Sequence, residues 1–307
     1  ITVSHSLGTM DCDNAAFNNE YIDNIIALSS SCKNYIIHRF GIKNNDKIKV
    51  VFNSVTDNPD SAAKRQAKMT AEKIKIVFAG GSAASKSPDV VVPIVNELCK
   101  SNLPFEFYWL GITTPPLKKF QPFKDIRLIL PNDERVIVTG LIPQQQAAEI
   151  IASCNVFLAP SRREGFPMAL LEAMRIGCIP IVSDFRIANQ EIIRDGINGF
   201  IISHKDIKSF VDRLSDIIEN HANYKNVYEA SYKTFVEELS FPVWRKCIYS
   251  IISRGALYHK QRRVMKKYAY KAVVNRFKLL DKYNLIENYM TEVLPCAIKF
   301  YKYYKNK

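Results

Sequence analysis

Residues Pro160 to Asp184 carry the sequence PSRREGFPMALLEAMRIGCIPIVSD, whose pattern predicts a loop, a helix and a buried strand in succession. Pro167 stands where the helix would begin, a favoured first position because proline lacks the N–H that would be unpaired there. We expect the helix to run to about Ile176 and to stop at Gly177. The unpaired N–H groups of such a helix start suit a phosphate, so the loop from Ser161 to Phe166 is a candidate ligand site.

The same alternation continues on both sides of this segment, from Ile74 to Ser203. Helical patterns separate the apolar runs IKIVFAGG, FEFYWLG, RVIVTGLI, VFLAP, IPIVSD and FIIS. Runs that are apolar throughout are typical of parallel strands, because helices cover both faces of such a sheet. The sequence therefore predicts an α/β fold with a doubly wound parallel sheet. Since several of these runs end in Gly or Pro loops, we expect a ligand site outside the carboxyl ends of the strands.

The rest of the chain has a different organisation. Residues 1–56 hold two β-rich pieces, Ile25 to Ser29 and Lys47 to Val55, around the helical pattern CKNYIIHRF. Residues 57–73 are polar and charged, contain Pro59 and lack aromatic side chains, which predicts a linker. We therefore expect part of an N-terminal α/β domain over 1–56, a linker over 57–73, a second domain over 74–253 and a tail over 254–307.

The net charge of +13 lies almost entirely in the tail. Residues 254–307 carry a net charge of +11 and eight of the fifteen tyrosines, whereas residues 1–253 carry only +2. Apolar residues recur at helical spacing from Met265 to Leu280, and most basic residues there lie off that stripe, which predicts a basic amphipathic helix. We expect residues 255–307 to bind an anionic membrane surface, to which cations and interfacial tyrosines both contribute.

Two alternatives for the tail stay open: the apolar stripe packs on the rest of the chain, or the tail binds nucleic acid. No recognised nucleic-acid motif accompanies the charge, so a nucleic-acid partner is not expected. The seven cysteines include no CxxC pair, which indicates neither a disulfide framework nor a zinc cluster. No apolar run approaches the roughly 18–20 residues of a spanning helix. We expect a cytoplasmic protein that is at most peripheral on the cytoplasmic face of the membrane.

Glu164 and Glu172 flank the start of the predicted helix. At a rise of about 1.5 Å per residue, the two carboxylates are separated by roughly one phosphate-plus-sugar length. Glu172 shares a helix face with Met168, so its side chain leans toward the preceding loop. Carboxylates accept hydrogen bonds from vicinal hydroxyls, and the pair could therefore hold opposite ends of one ligand. The alternative is a solvated Glu172, since acids are common near helix starts for electrostatic reasons.

Four pieces of the sequence, in this order and spacing, carry a family resemblance: RVIVTGLIPQQQAAEIIASCNVFLAP, PSRREGFPMALLEAM, GCIPIVSD and NQEIIRDGINGFII. The region from Lys73 to about Ser253 resembles the C-terminal nucleotide-sugar-binding domain of family 4 glycosyltransferases, which are retaining enzymes with the GT-B fold of two facing Rossmann-like domains. Residues 1–56 look like the closing part of the N-terminal, acceptor-side domain in that family. The resemblance, together with a first residue that is Ile rather than Met, implies that the opening half of that domain is missing.

The resemblance implies a role for each residue of the donor site. Glu164 would lie near the hydroxyls of the donor sugar, and Glu172 would hold the ribose hydroxyls. Lys86, in the loop after IKIVFAGG, matches the family's lysine that neutralises the leaving diphosphate, where charge builds as the glycosidic bond breaks. Further donor contacts are expected from Gly80, Gly81 and Ser82 and from Pro167. The backbone N–H groups of Gly165, Phe166 and Met168 would face the sugar and phosphates, and the backbone of Gly140, Leu141 and Ile142 would meet the base.

Two further positions match the family pattern less closely. His5, in ITVSH, is similar to the family's N-domain histidine that faces the sugar, and a purely structural histidine is the alternative. The family commonly places an arginine five residues before its lysine, but Gly81 occupies that position here, so half of the diphosphate clamp is absent. We hypothesise that Arg162 or Arg163, immediately before Glu164, reaches the same phosphates.

The reaction implied by the resemblance moves a sugar from a UDP- or GDP-sugar to a hydroxyl of a glycan or lipid-linked acceptor, with retention at the anomeric carbon. The family's commonest bacterial setting is polysaccharide or lipopolysaccharide synthesis. Neither a metal nor another cofactor is expected, because no DxD-type acidic pair ends a strand and Lys86 with the helix start supplies positive charge. The alternative function is that of a catalytically inactive or fragmentary homologue, which binds nucleotide sugars or acts as a membrane-associated module.

Overall fold

The structure is a computed structural model that describes residues 2–4, 9–16, 19, 22–56, 65–66, 68, 70–112, 130–162, 166–184 and 189–256. The predicted basic helix and its membrane surface lie outside the described residues, which end at Ala256. His5, Arg163, Glu164 and Gly165 also lie outside them, as does most of the predicted linker. Their assigned roles therefore stay predictions.

A small parallel sheet forms the N-terminal part of the chain. Its three strands are β1 (Thr2–Val3), β2 (Ile25–Ala27) and β3 (Ile48–Val50), which pair in that order. Helices α1 (Thr9–Ala16) and α2 (Ser30–Phe40) bury Cys12, Cys32 and Ile36 against the apolar side chains of this sheet. Strands β2 and β3 occur where the sequence predicted them, but each is only three residues long.

A larger, six-stranded parallel sheet follows. Its strands are β4 (Ile74–Phe78), β5 (Phe105–Trp109), β6 (Val136–Val138), β7 (Val156–Ala159), β8 (Ile179–Ser183) and β9 (Phe200–Ile202). They are arranged in the order β6-β5-β4-β7-β8-β9. Every residue of β7 and β8 is buried, whereas the edge strand β6 is only half-buried. The central strands are apolar throughout because both of their faces are covered, as the sequence predicts.

Alternate residues of the central strands enter two cores, one on each face of this sheet. Ile76 and Phe78 of β4 pack in one core with Trp109, whereas Val77 between them packs in the other core with Leu170. The helices that follow the small sheet are α3 (Pro88–Cys99), α4 (Gln144–Ser153), α5 (Met168–Met174), α6 (Asn189–Ile192), α7 (Ile207–Glu219), α8 (Lys225–Thr234) and α9 (Phe241–Ala256). The predicted doubly wound α/β fold is confirmed.

Strand order reverses in the middle of the larger sheet. From β4 the chain adds β5 and β6 on one side, and from β7 it adds β8 and β9 on the other side. The loops after β4 and β7 therefore diverge, which opens a crevice at the carboxyl ends of these two neighbouring strands. Most of the predicted site residues follow these two strands in the sequence, whereas Gly140 and Leu141 follow the edge strand β6.

The last described helix, α9, returns to the small sheet. Ile251 of α9 is buried against Ile26 and Val51, and Trp244 and Ile248 pack beside them. The sequence predicts a helix at Pro242 to Ser253 but assigns it to the larger domain, so its packing on the small sheet is a finding of the structure. Within the described residues, no helix combines the length and apolarity that crossing a membrane requires.

Candidate functional site

A cleft with about 320 Å³ of empty space, part of it open solvent, lies at the reversal of strand order. Three elements border it: the end of β4 with the loop that follows, strand β7 with its loop, and the start of α5. Lys86, Gly80, Pro167 and Met168 are predicted site residues that meet there. The other lining residues are Phe78, Ala79, Phe157, Leu158, Ala159, Ser161 and Ala169. The cleft therefore brings together residues that are far apart in the sequence and that we predicted to contact the donor.

The glycine pair after β4 is required by close packing. Gly81 has a φ of +55°, and a Cβ there would lie 2.7 Å from the carbonyl oxygen of Gly111. A Cβ on Gly80 would lie 2.1 Å from the ring of Phe78. The N–H of Gly81 donates to the carbonyl of Leu110 at 3.0 Å, which fixes the loop after β4 against the loop after β5. Any side chain at position 81, including the arginine that the resemblance leads one to expect, would be strained in this backbone.

Lys86 ends a short 3₁₀ turn, Ala84–Lys86, and the residue after it, Ser87, forms a hydrogen bond to another loop. Ser87 adopts the left-handed region with a φ of 58°, which is uncommon for a residue with a side chain. Its Oγ shares a hydrogen bond of 2.9 Å with Nε2 of His204, in the loop after β9. The backbone N–H of His204 in turn donates to Oδ1 of Asp184, after β8, at 2.8 Å. Two distant loops therefore fix the backbone that carries Lys86.

Burial is the main cause that lowers the pKa of His204, and the nearby Arg162 cation acts in the same direction. The imidazole is therefore neutral near pH 7, because its unperturbed pKa is already about 6.5. A neutral ring has one donor and one acceptor nitrogen, so either partner can donate in the bond with Ser87.

Arg162 has a structural partner. Its guanidinium forms an ion pair with Asp89, in the first turn of α3, and its backbone N–H donates to the carbonyl of Ser85 at 2.8 Å. Ser183 Oγ also donates to the carbonyl of Ser161 at 2.6 Å. The Arg162 backbone bond attaches the loop after β7 to the Lys86 turn, and the Ser183 bond attaches it to the end of β8. The ion pair argues against the hypothesis that Arg162 replaces the missing phosphate clamp, and Arg163 lies outside the described residues.

The helix after the candidate loop is shorter than predicted. Pro167 is its N-cap rather than its first helical residue, and α5 covers seven residues, Met168–Met174, before a turn that ends at Gly177 with a φ of +70°. Glu172 is half-buried on α5, and burial raises its pKa while Arg175 opposes that rise. Glu172 is not among the residues that line the cleft, so its assignment to the ribose stays a prediction.

Phe166, at the end of the candidate loop, packs toward the small sheet. Its ring stacks on Phe52, which follows β3, with a centroid distance of 5.4 Å and an interplanar angle of 27°. Leu28, after β2, is buried in the same core as Phe166. The side chain of Phe166 is therefore engaged in packing between the two sheets, which leaves only its backbone for the predicted donor contact.

The loop after β6 presents Leu141 to solvent, with 76% of its surface exposed. Its neighbour Ile142 packs against the core beneath. Gly140 precedes them at the same carboxyl edge as the cleft, on the β5–β6 side. The loop is positioned at the edge where a base contact was predicted, and that contact itself stays a prediction. Ser82 is buried rather than presented on the surface.

Sequence reasoning missed Asp89, Asp184 and His204, which hold the loops around the cleft. Asp184 and His204 are polar residues that directly follow the apolar runs of β8 and β9, and this position was the available signal. Their partners could not be inferred, because Ser87 and His204 are 117 residues apart. Among the described residues, no group of three or more His, Cys, Asp or Glu side chains could hold a metal ion.

The packing at Gly81 predicts the effect of one added methyl group. Gly81→Ala should lower the free energy of unfolding by about 1–3 kcal/mol through backbone strain, and the contact with Gly111 should add to that loss. Gly196→Ala is the matched control, because Gly196 has a φ of +72° but nothing within 4 Å of an added Cβ. Thermal unfolding should show a larger decrease in Tm for Gly81→Ala, and equal decreases would contradict the close approach to Gly111.

The lowered pKa of His204 predicts a pH dependence of stability. Between about pH 7 and pH 5 the unfolded chain binds a proton at His204 that the folded chain resists, so stability falls as the pH falls through about 6.5. His204→Gln should flatten this part of a plot of Tm against pH. His38→Gln, at an exposed position on α2, should leave the slope as it is in the wild type. A His204→Gln slope identical to that of the wild type would rule out the neutral, buried ring.

Comparisons with known proteins give the family and the fold of the chain. The family model described as glycosyl transferases group 1 matches residues 60–234. A lipopolysaccharide 1,6-galactosyltransferase of Salmonella typhimurium is 30% identical over 125 residues, which are 40% of this chain and 35% of that protein. An uncharacterized 41.2 kDa protein in the cps region of Klebsiella pneumoniae is 24% identical over 212 residues, 66% of this chain and 54% of that protein. The chain thus spans about a third to a half of these relatives.

The crystal structure of Anabaena HepE in complex with UDP-glucose superposes with a TM-score of 0.64 at 16% identity, and the match covers 82% of this chain and 71% of that one. At this identity the likeness is one of fold. The family model covers more than half of the present chain, from the predicted linker to the end of α8. The chain therefore belongs to the glycosyl transferases group 1 family, and its two parallel sheets have the GT-B type of fold.

Proposed function

We propose that the cleft binds a nucleoside diphosphate sugar and that the protein transfers the sugar to an acceptor hydroxyl with retention at the anomeric carbon. The observation that carries this proposal is the meeting of Lys86, the Gly80–Gly81 loop and the start of α5 at the reversal of strand order. A crevice at this place in an open α/β sheet is where ligands bind. Membership of the family supports the reaction class.

Lys86 is proposed to neutralise the diphosphate of the donor. Negative charge builds on the leaving diphosphate as the glycosidic bond breaks, so a fixed cation lowers the energy of the transition state more than that of the ground state. A Cβ on Gly80 would lie 2.8 Å from the Cβ of Lys86, so glycine at this position lets the Lys86 turn pack closely against the end of β4. Helix α5 is only seven residues long, so in this proposal Lys86 supplies more of the positive charge than the helix start does.

We propose that the configuration is retained because the acceptor oxygen attacks the anomeric carbon from the same face that the diphosphate leaves. The bond from the anomeric carbon to the diphosphate oxygen breaks through an oxocarbenium-like transition state, and the acceptor oxygen forms the new bond. The acceptor's proton passes to the departing diphosphate. Glu164 would hold hydroxyls of the donor sugar, and Glu172 those of the ribose, where partial burial of Glu172 would strengthen such hydrogen bonds.

The donor is proposed to be a UDP-sugar or a GDP-sugar, and the acceptor a glycan or a lipid-linked saccharide in cell-surface polysaccharide or lipopolysaccharide synthesis. UDP-glucose in the HepE structure supports the uridine alternative. The name of the Salmonella typhimurium relative, a lipopolysaccharide 1,6-galactosyltransferase, supports a saccharide acceptor. The relative from the cps region of Klebsiella pneumoniae fits the same setting.

A thermal-shift panel with UDP, GDP and ADP tests donor binding. A ligand at 100 times its Kd should stabilise the wild type by about 2.7 kcal/mol. We expect one of the three nucleotides to reach this stabilisation at a lower concentration than the other two. Lys86→Ala should weaken that ligand about 10–100-fold, because a charge-assisted contact is lost. Glu172→Ala should weaken it if the carboxylate holds the ribose.

Lys100→Ala is the matched control, because Lys100 is an exposed lysine at the other end of α3 from the cleft. Equal shifts in the wild type and in Lys86→Ala would contradict the proposed diphosphate site. Binding without release of diphosphate, in the presence of donor sugars and saccharide acceptors, would instead favour the inactive, donor-binding homologue.

A further inference from the structure

One carboxylate joins the larger sheet to the small one through a helix start. Glu191, on α6, accepts hydrogen bonds from the backbone N–H of Ser30 at 2.9 Å to each of its two oxygens. The N–H of Ser31 is 3.4 Å from Oε1 of the same carboxylate. Ser30 is the first residue of α2, and Ser29 caps the same helix by accepting from the N–H of Cys32 at 3.1 Å.

Unpaired N–H groups and the helix dipole both favour this contact, although it lies at an exposed position. The first N–H groups of a helix have no partner within the helix, and they carry the positive end of its macrodipole. A carboxylate is therefore the side chain that suits them best, and hydrogen bonds to a charged acceptor are stronger than those between neutral groups. Helix α2 has 11 residues and no acidic residue in its own first turn, so the carboxylate comes from the other sheet.

The contact lies where the two sheets meet beside the cleft. Helix α2 starts after the carboxyl end of β2, and α6 follows β8 at the carboxyl edge of the larger sheet. A second contact between the two parts is the stack of Phe52 on Phe166, at the end of the candidate loop. The stack is apolar and has little directional preference, whereas the Glu191 bonds require a defined distance and orientation.

We propose that Glu191 is a positioning residue that sets the small sheet against the donor cleft by capping α2 across the interface. The small sheet carries Phe52, which supports the candidate loop, and it is the side from which the acceptor is expected. The apolar contacts, the Val55–Ser240 bridge and the bond from Arg175 to the carbonyl of Thr56 remain after loss of the cap, and we expect the start of α2 to shift about them. The consequence for turnover rests on the proposed function, whereas the consequence for the geometry does not.

Two variants remove the same contact from opposite sides. Glu191→Ala removes the acceptor. Ser30→Pro removes the N–H donor, and it suits the first position of a helix, where proline is favoured. Ser29, before it, has an extended backbone with φ of −159° and ψ of 163°, which is the conformation that a following proline requires. Ser30→Pro should therefore fold as the wild type does.

The geometric test measures the distance between the two sheets. Spin labels on cysteines introduced at Asn34, on α2, and at Glu219, at the end of α7, report this distance by double electron–electron resonance. The background carries Cys247→Ser and Cys296→Ser, so that these two native cysteines take up no label. We expect one narrow distribution of label-to-label distances in the protein with both Glu191 and Ser30, and a broader or shifted distribution in Glu191→Ala and in Ser30→Pro. Glu238→Ala is the control, since Glu238 pairs with Arg194 within the larger sheet's part of the chain. Unchanged distributions in both variants would overturn the proposal.

The functional test separates positioning from donor binding. Glu191→Ala and Ser30→Pro should each lower kcat about tenfold, with the Kd for the nucleoside diphosphate unchanged. The double variant should also lose about tenfold rather than a hundredfold, because both changes remove one interaction. Glu191→Gln, which keeps one oxygen acceptor, should recover part of the loss. Wild-type turnover in Glu191→Ala, or a hundredfold loss in the double variant, would overturn the positioning role. If no nucleoside diphosphate binds the wild type, the proposed function fails and the distance measurement still decides the geometric claim.

Discussion

The reversal of strand order between β4 and β7 is the constraint on which the candidate site depends. These strands are neighbours in the sheet, yet the chain leaves them in opposite directions, so their loops cannot cover the space between them. The crevice that results is bordered on one side by the glycine loop and Lys86, and on the other by Ser161 and the start of α5. The topology opens the crevice, and the sequence of the loops places the Lys86 cation in it.

What the loops add is rigidity. The Lys86 turn is bonded to the loop after β7 through Arg162 and to the loop after β9 through His204. Electrostatic stabilisation of a leaving group is effective when the charged group is already in place, since no reorganisation is then needed during the reaction. In this account Arg162, Asp89 and His204 act on catalysis by holding Lys86, and none of them needs to touch the donor.

The sequence predicts those features that arise from local pattern. The runs of β7 and β8 are apolar throughout because both of their faces are buried, and the glycines after β4 are visible as a break. Contacts across the chain are not visible in this way. Arg162 and Asp89 are 73 residues apart, and Glu191 and Ser30 are 161 residues apart, so neither pairing has a local signature. The glycine at position 81 is visible in the sequence, but its close approach to Gly111 is not. The amphipathic pattern of α9 likewise predicts a helix without saying that it packs on the small sheet.

The most direct measurement of the central claim is a crystal structure of the protein soaked with UDP. The account predicts that the diphosphate lies in the cleft after β4 and β7, with an oxygen within about 3 Å of Lys86 Nζ, the distance of a charge-assisted hydrogen bond. UDP bound elsewhere on the molecule, or in this cleft with Lys86 turned away from the diphosphate, would contradict it.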